Sequence, residues 1–283
     1  MKKKEISRKV SVVVCSKNEE TRIKKCLSAI VKNKPNEIIM LDGGSLDRTV
    51  EYAKKFNIKI IVNKNSNLTI DRQIGIDKAK NNYVAMIDCD HIVKKNQIRE
   101  MVNDLKRQNF AIIQAQIKIK VIDFWTNAEK KSLDLVQNIP GLKKKIIGTA
   151  PNIYDKSKLI KIKFSDKITK TIDDTDYFYR LSKKKIRFGI SKVKVESQHE
   201  KGFANYFRKF IWYGKGDAEF CFKYKLKIFS MTFHLLVRYC LIYSVKSIMS
   251  LSFPSLIFFV LQGIIRFYSM VFYLSRFYLK LKH

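Results

Sequence analysis

The chain is 283 residues long, 46% hydrophobic, and carries a formal charge of +32. That length and apolar share support one sizeable packed domain plus an appendage, and the charge calls for anionic partners such as a nucleotide diphosphate, acidic lipid headgroups or nucleic acid. Five cysteines, Cys15, Cys26, Cys89, Cys221 and Cys240, show neither paired nor metal-finger spacing, which excludes a disulfide framework and a zinc finger and leaves reduced core thiols.

Val10 to Cys15 is a short β-branched run that reads as a buried strand, ending in the polar turn Ser16-Lys17-Asn18-Glu19-Glu20. Ile23, Leu27 and Ile30 follow at helical spacing. Glu37 to Leu41 is the next strand, closed by Asp42-Gly43-Gly44-Ser45-Leu46-Asp47, and Val50, Ala53 and Phe56 give a second helix its apolar face. Ile58 to Val62 makes a third strand, Ile70 to Ala79 a helix, and Tyr83 to Ile87 a fourth strand ending at Asp88-Cys89-Asp90. Such alternation implies right-handed crossovers and a mostly parallel sheet. Carboxylates at strand ends lie where an open α/β sheet binds its ligand.

Further along, Asp173-Asp174-Thr175-Asp176 precedes a helix carrying Tyr177, Phe178 and Leu181, and His199 follows the run Val193 to Val195. Phe203 to Phe222 interleaves aromatics with bases, as a helix at a membrane interface does. Beyond Glu219 there is no acidic residue, yet nine Lys and Arg residues from Lys223 to Lys282 punctuate a Phe/Leu/Ile-rich sequence. Phe253 to Leu274 is long enough to cross a core of about 30 Å, but Arg266 lies inside it, and Arg238 and Lys246 interrupt Ile228 to Ser252. The expectation is therefore in-plane or re-entrant helices whose bases snorkel to anionic headgroups.

In order and spacing, Val12-Val13-Val14 with Lys17-Asn18-Glu19, then Asp42-Gly43-Gly44-Ser45 with Asp47 and Thr49, Arg72 and Gly75, Asp88-Cys89-Asp90, Gly148-Thr149, Asp173 to Asp176 with Arg180-Leu181, and His199 resemble the inverting, nucleotide-sugar-dependent family-2 glycosyltransferases over roughly the first two hundred residues. The resemblance implies a GT-A, Rossmann-like α/β fold and transfer of one sugar from a nucleotide-diphosphate sugar. Ser16, Asn18, Glu19, Asp42, Gly44, Arg72 and Asp88 would line the donor pocket. Asp88, Asp90 and His199 would hold Mg²⁺ or Mn²⁺, and Asp174, with Asp173 as the fallback, would be the general base. Asp176 reads equally well as the N-terminal charge of its helix. A Gln-x-x-Arg-Trp motif of processive synthases does not occur, so transfer of a single sugar is expected, and the basic aromatic tail points to a membrane-borne, lipid-linked acceptor in envelope glycan or glycolipid synthesis.

The expected organisation is a transferase domain over 1–200, a basic aromatic interfacial helix over 201–225 and membrane-associated helices over 226–283. The Lys-rich start, Met1-Lys2-Lys3-Lys4, shows no stretch like a signal peptide, which points to the cytoplasmic face of the membrane. Two rival readings keep the same fold: a non-catalytic membrane-surface scaffold, and a nucleotidyltransferase, whose usual Gly-rich basic N-terminal loop is replaced here by Lys17-Asn18-Glu19. Nucleic acid is not expected as a partner, because strand-end carboxylates would face a polyanion with nothing to do.

Overall fold

A computed structural model describes residues 9–64, 67–144, 146–159, 162–165 and 173–279. They divide into two compact units, one drawn from Met1–Lys118, Pro140–Thr169 and Tyr177–Gln198, the other from Ile119–Ile139, Lys170–Asp176 and His199–His283. A contiguous domain over 1–200 is thus interrupted: segment 119–139 folds with the C-terminal region, to which Asp123 and Glu129 tie it.

In chain order the first unit begins with β1 (Val10–Ser16), α1 (Ile23–Val31), β2 (Glu37–Asp42), α2 (Thr49–Ala53), β3 (Lys59–Val62), α3 (Leu68–Lys78) and β4 (Tyr83–Met86). There follow β5 (His91–Ile92), α4 (Gln97–Arg107), β6 (Ile112–Ile119), α5 (Phe124–Val136, in the second unit), β7 (Gly141–Lys143), β8 (Asn152–Asp155), the single turn α6 (Lys156–Leu159), α7 (Asp173–Lys183) and β9 (Phe188–Ser197). The sheet runs β3-β2-β1-β4-β8-β6-β9-β5, with β7 on β9. Its β3-β2-β1-β4 part is parallel, as the βαβ alternation in the sequence requires. Beyond it, β8 is antiparallel to β4 and β6.

Alternation along β1 divides the core between two sheet faces. Val10, Val12 and Val14 pack with Ile23, Leu27 and Ile30 of α1 and Met101, Val102 and Leu105 of α4. Val13 and Cys15 pack with Ile76 of α3 and with Tyr177, Phe178 and Leu181 of α7. Each such side chain contributes about 1.5–3 kcal/mol by leaving water. Gly75 lets α3 approach β1, since a Cβ there would stand 2.3 Å from Val13 Cγ1. That approach carries Arg72 towards the strand ends.

In the second unit, α5 opens with a capping box: Thr126 N–H donates to Asp123 Oδ1 at 2.9 Å, and Thr126 Oγ1 accepts from Asp123 N–H at 3.0 Å. The helix α8 (Phe203–Lys223) covers the expected interfacial segment. A helical run over Lys225–Met249 follows, made of a 3₁₀ turn, α9 (Ile228–Thr232), a wider π-helical stretch (Phe233–Tyr243) and α10 (Ser244–Met249). It folds back antiparallel on α11 (Phe253–Leu279), placing Ser247 on Ser255 and Tyr243 on Phe259. Helices α8 and α11 run side by side, Phe210 on Phe258 and Phe222 on Phe277. Gly214 permits their contact, because a Cβ would fall 2.5 Å from the Arg266 carbonyl.

The run Lys225–Met249 and α11 are both long and apolar enough to cross a membrane, with mean hydropathies of 1.5 and 1.7. Phe229, Leu241, Val245, Ile248, Met249, Leu251, Tyr268 and Phe272 are exposed. The structure corrects one expectation: Arg266 does not snorkel to headgroups. Its guanidinium grips the buried Asp217 of α8 bidentately, with both bonds at 2.9 Å, because the neighbouring helix offers an anion closer than the surface.

Candidate active site

Two loops at the carboxyl ends of β1 and β2 fold onto one another. Asp42 is fully buried, and its carboxylate accepts from Gly44 N–H at 3.1 Å, Ser45 N–H at 2.8 Å, Ser45 Oγ at 2.5 Å and Ser16 Oγ at 3.3 Å. Gly44 takes a left-handed φ of 80°, which aims its amide inward. Asn18, also left-handed at φ 55°, accepts from Leu46 N–H through its side chain and donates its own N–H to Ser45 Oγ, both at 2.9 Å. Asp47 caps the opposite side, accepting from Thr49 Oγ1 at 2.5 Å, Glu20 N–H at 3.1 Å and Thr49 N–H at 3.0 Å, and these bonds, the hydroxyl's first, outweigh a slight burial and hold its carboxyl below the usual range. Ser16, Asn18, Asp42 and Gly44 are thus brought together, with Asp42 stapling the two loops to each other.

The turn after β4 carries Asp88, Cys89 and Asp90. Arg72, buried on α3, donates to Asp88 Oδ2 at 2.9 Å, while Asp88 Oδ1 is buried with no hydrogen-bond partner among the described residues. Ser197 Oγ donates to Asp90 Oδ2 at 3.1 Å, and Asp90 Oδ1 lies 3.2 Å from Nδ1 of the buried His91. Burial pushes the Glu19 carboxyl up, opposed by Arg22 and reinforced by Asp90 and Asp88. A hydrogen bond with Cys26, together with burial, raises the Cys89 thiol well above its ordinary value, so Cys89 is an inert packing group.

Ligand atoms of Asp88, Asp90 and His91 lie within 4.8 Å of one another. Two carboxylates and an imidazole, with one buried carboxylate oxygen left without a partner, fit a divalent cation of the Mg²⁺ or Mn²⁺ kind. His91 was a weaker candidate in the sequence. Only the chain turn that aims its ring beside Asp90 distinguishes it.

In the second unit, Asp174 Oδ1 accepts from Thr175 N–H at 2.6 Å and is half-buried near the start of α7. Asp173 is the first residue of that helix, and its side chain lies outside the described residues. Asp176 is buried and accepts from Lys223 Nζ and Tyr224 Oη, both at 2.8 Å, so within the second unit it fastens the opening residues of α7 to the end of α8. His199 belongs to a different network. Its Nδ1 lies 2.5 Å from Glu129 Oε2, which also accepts from Tyr206 Oη at 2.7 Å, and Lys209 Nζ donates to Glu129 Oε1 at 2.8 Å. Burial would raise the Glu129 carboxyl, but Lys209 and His199 overcome it and hold the group well below the ordinary range. Sequence reading missed Glu129. Its one signal was a polar stripe, Thr126, Glu129 and Ser132, on the buried side of α5.

Residues 11–169 match the family described as Glycosyl transferase family 2. A cholesterol galactosyltransferase of Borreliella burgdorferi is 33% identical over 141 residues, 47% of this chain and 38% of that protein. Glycosyltransferase GlyA of Streptococcus pneumoniae is 26% identical over 132 residues, 44% of this chain and 18% of its own length. The match thus spans well under two thirds of these relatives. Among solved structures, S. aureus TarS 1-349 in complex with UDP-GlcNAc has a TM-score of 0.53 at 14% identity, covering 75% of this chain and 66% of that one. Its complex with UDP has a TM-score of 0.51 at the same identity, covering 74% and 65%, which establishes the shared fold. With more than half of its residues inside the matched family, this chain belongs to glycosyl transferase family 2.

Proposed function

We propose that the protein transfers a single sugar from a nucleoside-diphosphate sugar to a lipid-linked, membrane-borne acceptor, with inversion at the anomeric carbon and the help of Mg²⁺ or Mn²⁺. The observation that carries this is the gathering of Asp88, Asp90 and His91 at the end of β4, with a buried carboxylate oxygen that has no hydrogen-bond partner among the described residues. A divalent cation held there would offset the charge that develops on the diphosphate leaving group. Arg72 fixes the Asp88 carboxylate, and the Asp42-stapled loops with Ser16, Asn18, Glu19 and Gly44 form the wall for base and ribose. Asp174 is the general base, with Asp173 as the alternative. It takes the proton of the acceptor hydroxyl as that oxygen bonds to the anomeric carbon and the bond to the diphosphate breaks.

Two features support the acceptor. One relative bears the name of a cholesterol-modifying enzyme, and the C-terminal region combines exposed apolar side chains with an absence of acids beyond Glu219. That composition suits the anionic cytoplasmic face of a membrane. The names of the structural neighbours, which bind UDP and UDP-GlcNAc, support a nucleotide-sugar donor.

The test is isothermal titration of the full chain in detergent with UDP, GDP, CDP and dTDP, with and without Mn²⁺, beside an Asp88→Asn/Asp90→Asn variant. Metal-dependent binding of one nucleotide, lost in the variant, is expected. Absence of binding by every nucleotide would overturn the reading in favour of a non-catalytic scaffold. Asp174→Asn should bind the nucleotide as wild type does while losing transfer.

A further inference from the structure

An Asp-x-Asp pair as a cation site is part of the family resemblance; a histidine immediately after it is a feature of this chain. We propose that His91 is a third protein ligand of the cation, through Nδ1, and that this nitrogen donor makes the site prefer Mn²⁺ to Mg²⁺. The inference rests on the cation reading above and specifies its donor set.

Three observations within one unit converge on it. His91 is 5% exposed, and its buried Nδ1 makes no well-aligned hydrogen bond among the described residues, having only the Asp90 carboxylate 3.2 Å away, a condition that native interiors rarely leave uncompensated. The backbone that carries the ring is fixed: His91 N–H donates to Asp88 O at 3.0 Å, and β5 pairs with β9 at His91 and Ser197. Asp90 is oriented too, for Ser197 takes its Oδ2 and leaves Oδ1 facing the His91 nitrogen at 3.2 Å. Asp88 is arranged in the same way, with Arg72 on Oδ2 and Oδ1 unpartnered.

Ligands about 2.1 Å from a common ion stand about 3 Å apart when adjacent and about 4.2 Å apart when opposite. The three donor atoms fall within 4.8 Å of one another, so small side-chain movements close them on one ion. Mg²⁺ favours all-oxygen shells and keeps its waters, whereas an imidazole nitrogen favours a transition ion.

The test uses the full chain in detergent with Mn²⁺ alone, read by equilibrium Mn²⁺ binding and by pulsed electron paramagnetic resonance for nitrogen bound to the ion. Wild type should show directly bound ¹⁴N that changes on ¹⁵N-histidine labelling. It should persist in His199→Gln and vanish in His91→Gln. Mn²⁺ affinity should fall about tenfold or more in His91→Gln, since even outer-shell partners cost 10–100-fold, while Mg²⁺ affinity changes much less. Should His91→Gln not fold, the His199→Gln, His234→Gln and His283→Gln variants assign the nitrogen by elimination. A wild-type ion without bound nitrogen, or a signal that disappears in His199→Gln instead, overturns the proposal while leaving the cation site standing. Mn²⁺ uptake that is absent, or unchanged in Asp88→Asn/Asp90→Asn, overturns the cation reading itself.

Discussion

Arg266, at the middle of the apolar helix α11, is clamped by Asp217 of α8, with Nε on Oδ2 and Nη2 on Oδ1, both at 2.9 Å. Removing one member leaves a buried charge without its counterion. Asp217→Asn should therefore destabilise the C-terminal helices by about 3–5 kcal/mol. The double change Asp217→Leu/Arg266→Met should recover most of that loss, because two apolar groups need no partner. Thermal unfolding of the four proteins in one detergent checks this, and additive losses would mean that the pair does not act as a unit.

Glu129 gathers His199, Tyr206 and Lys209, and Glu129→Gln should cost about 2–3 kcal/mol through weakened charge-assisted bonds. The pH dependence follows from the direction of the shift. A carboxyl whose folded value is depressed contributes stability above its unfolded value and loses it as pH falls below that value towards the folded one. Wild-type stability should thus decline below the ordinary glutamate range more steeply than that of Glu129→Gln. Acid titration of the melting temperature measures the difference between the two slopes.

Arg72 orients Asp88 from α3. Arg72→Met keeps most of the buried stem but removes the donor, so Mn²⁺-dependent nucleotide binding should weaken by about tenfold or more. Arg72→Lys should rescue it only in part, since a single ammonium does not reproduce the guanidinium geometry. Calorimetry of the three proteins decides it, and equal affinities would show that Asp88 holds its orientation unaided.

Asp42 accepts four hydrogen bonds from its own loop and from Ser16. Asp42→Ala should lower stability by about 2–4 kcal/mol, because buried amides and hydroxyls lose an ionised partner. Ser45→Ala, which removes one of the four donors, should cost about 1 kcal/mol. If Asp42 only holds the wall, the two variants should lose nucleotide affinity in proportion to their loss of stability. A far larger affinity loss in Asp42→Ala would assign the carboxylate to direct contact with the base.

The sequence alone determined the parallel βαβ half, because short, continuous apolar runs such as Val10 to Cys15 and Glu37 to Leu41 and the polar turns after them are local signals. It also located Asp42, Asp88 and Asp90, since a carboxylate that closes a buried strand is visible in the one-dimensional pattern. Tertiary structure decided what each acid touches. Nothing in the string distinguishes Asp88, held by an arginine sixteen positions earlier, from Asp42, consumed by its own loop. The destination of segment 119–139, the clamp between Asp217 and Arg266, and the role of Glu129 were equally hidden. These pairings join residues tens of positions apart, and hydropathy registers the cost of burying a charge but not the partner that offsets it.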